Sequence, residues 1–360
     1  MESFVCNTRI ISGDGAVETL KNLGARRLLV VTDPYFYKNG EAARVAAAAG
    51  AEEVDYFHEV SPDPTVALAA RGTAALQSFA PDTVVALGGG SAMDLAKAMV
   101  YFAGSDARLV AVPTTSGSGS EVTDFAVLTH EGVKHPLVDE RLRPFLAVLD
   151  SQLLASMPAG LIADSGFDVL THAVEAFTAT GAGCFSDMLA MEAFCTVQAL
   201  LPASFGGDQS VRLRIHEASA MAGLAFTHSG LGLCHAMSHS LGGAFHLPHG
   251  RLNAILLPAV MECNAWRASE KYARLAQGAG IGGSAKTVAV RALKNAIIRL
   301  RRELGMPATL AEAGVRPHQV WSRQAELVEA VLADPCCKTN PVVVEEFMVR
   351  KILEEVTGRG

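Results

Sequence analysis

The stretch Gly230–Gly250, GLGLCHAMSHSLGGAFHLPHG, places His235, His239, His246 and His249 within fifteen consecutive residues. The chain has 11 histidines in 360 residues, so this clustering calls for a cause. His235 and His239 are four apart, which on a helix stacks them on one face. Leu241, Gly242 and Gly243 are expected to end or bend that helix, and Pro248 to set His249 in a turn. Upstream, Asp168 and His172 repeat the i, i+4 spacing in FDVLTHAVEA. Two helical pairs and a turn histidine can converge on one divalent metal. Imidazole with carboxylate suits Fe, Zn, Mn or Ni rather than Ca or Mg. A lone histidine on an apolar helix face is more often a hydrogen-bonded core residue, and that reading stands for His216 and His318. Around 235–249 the neighbours are mostly Gly, Ala, Leu and Met, which offer imidazoles few partners, so the cluster reads as a metal site.

Composition narrows the class of protein. At 360 residues the chain exceeds one typical core, so two domains are expected. Half the residues are hydrophobic and 19% are charged, as in a well-buried globular enzyme that gives some surface to a partner subunit. The net charge of −7 argues against nucleic acid as the main partner. No apolar run is expected to span a membrane, and the first residues lack the pattern of a signal peptide. Seven cysteines, an odd number without CxxC spacing, point to reduced thiols in a cytoplasm. Cys336 and Cys337 form a vicinal pair with either a redox or a packing role.

The chain before the histidines alternates strands and helices. TRIISGDGA onward reads as strand, glycine turn, helix and strand, with Leu28–Thr32 a continuous apolar run closed by Asp33. Helices are expected over 41–50 and 64–80, with a strand over 54–60 between them. Thr83–Leu87 is a buried strand that leads into Gly88, Gly89, Gly90 and Ser91 and a helix over 92–103. Strand, glycines and helix N-terminus bring backbone N–H groups against a phosphate; a plain tight turn is the simpler alternative. The spacing is not the GxGxxG fingerprint. After the strand Leu109–Val112 comes PTTSGSGSEVT, rich in hydroxyls and glycines suited to ribose, phosphate or amide contacts, or to a flexible surface loop. Two such loops at the ends of successive strands favour a nucleotide crevice. Strands over 125–129, 132–138 and 145–149 follow. From Pro158 the pattern turns helical, with breaks at Gly181–Gly183, Gly206–Gly207, Gly280–Gly283 and Gly305–Pro307. The expected organisation is therefore an α/β domain over 1–157 and an all-helical domain over 158–360.

Taken together, TRIISGDGA, GGGSAMDLAKA, PTTSGSGSEVT, GFDVLTHAVEA, HAMSHSLGGAFHLPHGRLNAILLP and DPCCKTNP resemble the iron-containing (group III) alcohol dehydrogenases along most of the chain. The resemblance implies an N-terminal Rossmann-like nucleotide-binding domain and a C-terminal helical metal-binding domain, with the site in the cleft between them. It implies metal ligands at Asp168, His172, His235 and His249. It places His239 beside the substrate as a catalytic residue rather than a ligand, a choice that spacing alone leaves open. It puts pyrophosphate on Gly88, Gly89, Gly90 and Ser91 with Asp94 behind, nicotinamide and adenine on Thr114, Thr115, Ser118 and Lys134, and ribose hydroxyls on Asp33. The implied cofactors are NAD(H) and a divalent metal, Fe²⁺ first with Zn²⁺ or Mn²⁺ as alternatives. Four protein ligands leave room for substrate only on a metal that expands its coordination, as iron does more readily than zinc.

Within that family the chain looks most like ethanol and 1-propanol dehydrogenases of bacterial aldehyde pathways. GFD replaces the commoner GMD and SHSLGG the commoner AHPLGA, both near the pocket. The implied activity is hydride transfer between nicotinamide and a small alcohol or aldehyde, including one that carries a sulfonate or carboxylate. The implied setting is a homodimer or higher homo-oligomer in the cytoplasm, or alongside a bacterial microcompartment. A zinc polyol dehydrogenase of the glycerol type is one rival. A lyase of the dehydroquinate-synthase type is another, disfavoured because the helical half lacks a set of phosphate-binding Lys, Arg and His.

Overall fold

A computed structural model describes residues 3–282 and 285–358. Gly283, the end of one expected helix break, lies outside the described residues. Eight strands form among the described residues: β1 (Arg9–Ser12), β2 (Arg27–Thr32), β3 (Glu53–Phe57), β4 (Thr83–Gly88), β5 (Arg108–Pro113), β6 (Phe125–His130), β7 (Val133–Val138) and β8 (Leu146–Leu149). The helices are α1 (Pro34–Lys38), α2 (Glu41–Ala49), α3 (Val66–Phe79), α4 (Gly90–Ala103), α5 (Ala159–Thr178), α6 (Cys184–Phe205), α7 (Arg212–Ser229), α8 (Leu233–Phe245) and α9 (His249–Gly278). They continue with α10 (Lys286–Glu303), α11 (Pro317–Ser322), α12 (Gln324–Ala333) and α13 (Glu346–Thr357). The described residues form two compact units: one holds 5–157 and 212–223, the other 3–4, 158–211, 224–282 and 285–358.

The first of these units is built on a six-stranded sheet in the order β1-β8-β5-β4-β2-β3, with every neighbouring pair parallel. Its central strands are apolar between their ends, at Leu28–Val31, Val84–Leu87 and Leu109–Val112, because both faces are covered. Leu29, Val31, Val84, Ala86, Leu109 and Ala111 face a core completed by α3 and α4. Their alternates Leu28, Val30, Val85, Leu87, Val110 and Val112 face the opposite core, with α2 and the turn of 3₁₀ helix at Ala16–Leu23. That 3₁₀ turn stands where an α-helix was expected after the first strand. β6 and β7 form a separate antiparallel hairpin outside the main sheet.

The other unit is helical among its described residues. One expectation fails here: α6, 22 residues, is long and apolar enough by length and composition to cross a membrane. Its Asp187 nevertheless pairs with Lys271 at 2.9 Å and Arg274 at 3.3 Å on α9. Its Leu201 packs so closely on Gly166 of α5 that a Cβ there would lie 2.3 Å from it. Those contacts tie one face of it to the helices of its own unit, while Phe185 and Met188 stay exposed. A second expectation also fails. Gly242 and Gly243 do not end α8, which runs on to Phe245 and stops at His246 in the left-handed conformation, φ 55°. A third correction concerns His249, which is not a turn residue but the first residue of the 30-residue α9, with Pro248 just before it.

Candidate active site

Asp168 is the centre of the histidine cluster. Its Oδ1 lies 3.8 Å from His172 Nε2, 3.7 Å from His235 Nε2 and 3.5 Å from His249 Nε2. Asp168, His235 and His249 offer ligand atoms that all lie within 4.8 Å of one another, and His172 joins them through Asp168. The i, i+4 spacing on α5 puts Asp168 and His172 on one face. The start of α9 brings His249 in. That approach depends on Gly250, whose added Cβ would sit 1.8 Å from the Asp164 carbonyl oxygen on α5.

Glu175, one turn past His172, holds the arrangement. Its Oε2 accepts from His235 Nδ1 at 2.6 Å, and its carboxylate also accepts from the N–H groups of Gly232 at 3.0 Å and Cys234 at 2.7 Å. One carboxylate thus caps α8 and directs His235 Nε2 toward Asp168. Asn253 on α9 performs the matching task for Asp168, donating to its Oδ1 at 2.8 Å while accepting from Ser238 at 2.5 Å. Neither Glu175 nor Asn253 stood out in the sequence as a functional residue. Glu175 was open to detection, because Asp168, His172 and Glu175 continue one helical face at i, i+4 and i+7.

The electrostatics fit a cation. Burial alone would raise the Asp168 carboxyl, but His172, His249 and His235 hold it well below the usual carboxylate range. Burial works against charge on His235, yet Asp168 and Glu175 push it up to about 9. His235 Nε2 is buried and has no hydrogen-bond acceptor in range. A buried carboxylate ringed by imidazoles, with one ring nitrogen left over, is a donor set for a divalent transition metal, which would replace the proton.

His239 lies next to these groups. Its ring stacks on that of His249, with centroids 5.3 Å apart. Its Nδ1 meets Asp334 Oδ2 at 2.9 Å. Burial would raise Asp334, but hydrogen bonds from His239 and the Cys336 N–H keep it lowered. Nothing in the sequence marks Asp334 beyond its place in DPCCKTNP. Both thiols that follow are free, and burial with the Asp334 charge drives Cys336 well above the usual thiol range and Cys337 up to about 12.

The nucleotide candidates gather in the sheet-bearing unit. β2 leads outward to β3, whereas β4 and β5 lie on the other side of β2. The chain therefore reverses direction between β2 and β4, where open α/β sheets bind their ligands. Asp33 follows β2 and Gly88–Ser91 follow β4. A Cβ on Gly89 would lie 3.2 Å from Thr115 Oγ1, and one on Gly90 3.1 Å from the Ser118 side chain. The glycine turn and the hydroxyl loop are therefore packed together, joined also by the Thr114 N–H donating to the Gly88 carbonyl at 3.0 Å. The first turn of α4 has no side-chain cap; the Ala92 N–H turns back to the Gly89 carbonyl at 3.0 Å, so an anion there would meet the N–H groups that precede it.

Several of the candidates have protein partners of their own, among them Ser118, whose Oγ accepts from the Ser120 N–H at 3.3 Å. Asp33 Oδ1 caps α1 by accepting from the N–H groups of Tyr35 at 2.8 Å and Phe36 at 3.0 Å. Asp94 accepts from Ser120 Oγ at 2.8 Å and the Val127 N–H at 3.1 Å, so it ties down the loop after β5. Lys134 pairs with Asp63 at 2.7 Å. Lys97, also missed in the sequence, is buried one turn past Asp94 on α4. It donates to Ser120 Oγ, Thr123 O and Thr123 Oγ1, each at 3.0 Å, and to Phe125 O at 2.9 Å.

Residues 7–151 match the model of the iron-containing alcohol dehydrogenases, and residues 162–357 match the C-terminal model of the same family. A 1-propanol dehydrogenase of Citrobacter freundii is 39% identical over 99% of this chain and 100% of its own. An NADPH-dependent butanol dehydrogenase of Clostridium saccharobutylicum is 35% identical over 98% of this chain and 97% of its own. The crystal structure of a sulfoacetaldehyde reductase from Bifidobacterium kashiwanohense in complex with NAD⁺ covers 100% of both chains at a TM-score of 0.90 and 28% identity.

Proposed function

We propose, because this chain belongs to the iron-containing alcohol dehydrogenase family and is an oxidoreductase acting on CH–OH groups, that it interconverts a small primary alcohol and its aldehyde with NAD(H) and a divalent metal. The observation that carries the reading is the convergence of His172, His235 and His249 on Asp168, with His239 and its Asp334 beside them.

In this reading Asp168, His172, His235 and His249 hold the metal, Fe²⁺ by preference. When bound, the metal supplies Lewis-acid polarisation of the carbonyl oxygen and the nicotinamide supplies the hydride. The residues do the rest. Glu175 fixes the tautomer of His235 by accepting from Nδ1, which leaves Nε2 as a lone-pair donor. Asp334 does the same for His239, so that the far ring nitrogen delivers or removes the alcohol proton. Gly88, Gly89, Gly90 and Ser91 receive the pyrophosphate, with Thr114, Thr115 and Ser118 alongside. Asp33 keeps one carboxylate oxygen for ribose hydroxyls, which favours NAD(H) because a 2′-phosphate would be repelled. The reading extends to a cytoplasmic homodimer or larger homo-oligomer.

The test is a panel of small aldehydes, neutral, sulfonated and carboxylated, offered with NADH to metal-reconstituted enzyme while NADH absorbance is followed. Metal-dependent oxidation of NADH by at least one of them is expected. Silence across the panel with metal bound would sink the reading.

A further inference from the structure

His239, Asp334 and Cys336 offer a ring nitrogen, a carboxylate oxygen and a thiol sulfur that all lie within 4.8 Å of one another. Asp334 already bridges the other two, meeting His239 Nδ1 at 2.9 Å and accepting from the Cys336 N–H at 2.8 Å. The three side chains come from two places, α8 and the 3₁₀ turn Pro335–Thr339, which Asp334 caps. Their relative placement is therefore set by packing rather than by one flexible loop. The neighbour, Cys337, turns away and donates to the Val331 carbonyl at 3.0 Å.

We propose that His239, Asp334 and Cys336 form a second metal site, for a thiophilic ion of the zinc class. An ion held there withdraws His239 from the reaction. Imidazole, carboxylate and thiolate form a mixed soft and borderline donor set that selects zinc or cadmium over magnesium or calcium. It differs in kind from the set around Asp168, which contains no sulfur. On binding, the Cys336 thiol gives its proton to solvent and its sulfur bonds the ion. A lone pair of His239 and a carboxylate oxygen of Asp334 complete three protein ligands; where the lone pair is that of Nδ1, the proton that Asp334 held there moves to Nε2. Carboxylate and thiolate together bring two negative charges, which offset the charge of a divalent ion close to His249. The inhibitory consequence rests on the role proposed for His239; the binding site does not.

The two parts are tested separately on enzyme loaded with its resident metal. Cadmium is titrated while the ultraviolet charge-transfer band of a cadmium–thiolate bond is recorded, and resident metal is measured before and after. One further equivalent of cadmium with no loss of resident metal is expected. Cys336→Ser should abolish the band, and His239→Gln and Asp334→Asn should each weaken binding by about 10- to 100-fold. Cys337→Ser should bind like the unaltered protein. In the second arm zinc is added during aldehyde reduction, and Cys336→Ser should need at least about tenfold more zinc for the same inhibition. A band that follows Cys337 instead, unchanged binding in Cys336→Ser, or cadmium that enters only as resident metal leaves would overturn the site. Cadmium binding as expected without any effect on turnover would leave the site standing and overturn the role of His239.

Discussion

Glu175 Oε2 accepts a 2.6 Å hydrogen bond from His235 Nδ1, and the same carboxylate caps the helix that carries His235. One buried side chain thus sets the orientation of one imidazole and shares the cap of one helix with Asn340, whose Oδ1 accepts from the Leu233 N–H at 3.1 Å. Glu175→Gln retains size but changes the hydrogen bonding. An amide that donates to Nδ1 forces the proton onto Nε2, where it competes with a metal. Metal affinity should fall by about 10- to 100-fold while the fold persists. Equilibrium dialysis against the metal, with a melting curve as control, measures both.

His239→Ala should keep its metal and lose rate by about 10² to 10⁴-fold, with one limb gone from the pH–rate profile. Asp334→Asn should lose part of that rate, because an amide can also hold the wrong tautomer of His239. A His239→Ala protein with normal metal, lowered stability and a pH profile of unchanged shape would instead make His239 a packing residue.

Asp33 has two tasks that can be separated. Asp33→Ser keeps an N-cap for α1 but removes the carboxylate. The ratio of kcat/KM for NADH over NADPH should fall toward unity, with little loss of stability. If the unaltered protein already prefers NADPH, the assignment of Asp33 is wrong.

Ser116 Oγ and His216 Nδ1 lie 3.0 Å apart in the core of the sheet-bearing unit, and burial pushes His216 down to about 4. The unfolded chain therefore takes up this proton first as pH falls, near the ordinary histidine value of about 6.5. The stability that neutral His216 contributes is full above about pH 6.5 and is lost on the way down to about 4, at about 1.4 kcal/mol per pH unit. Burial pushes Glu121 the other way, to about 7, so its contribution falls as pH rises between about 4.5 and 7 and masks the first. The difference between unaltered protein and His216→Gln removes that mask. It should shrink steadily from pH 6.5 to 4 in urea titrations; a difference independent of pH would contradict the assignment.

Several of these features were legible in the sequence for a physical reason. Strands such as Leu28–Thr32 and Thr83–Leu87 carry four consecutive apolar residues because they are covered on both faces. Asp168 with His172, and His235 with His239, announce themselves because four-residue spacing on a helix is a geometric fact. The rest was hidden where packing overrides local preference. Gly242 and Gly243 continue α8 because tertiary contacts hold the helix through them; a Cβ on Gly242 would already lie 3.5 Å from Leu252 of α9. His249 looked like a turn residue because Pro248 precedes it, yet proline is equally at home just before a helix. Asn253, Asp334 and Lys97 act through partners 85, 95 and 23 to 28 residues away, a separation that no spacing rule reads.

The central claim is that Asp168, His172, His235 and His249 hold one catalytic metal, and metal content measured beside turnover in His249→Ala tests it most directly. Anaerobically reconstituted unaltered protein should carry one divalent ion per chain at this set and oxidise NADH with a small aldehyde. In His249→Ala both should fall together, while the melting curve shows a folded protein. Full metal occupancy in folded His249→Ala would contradict the account.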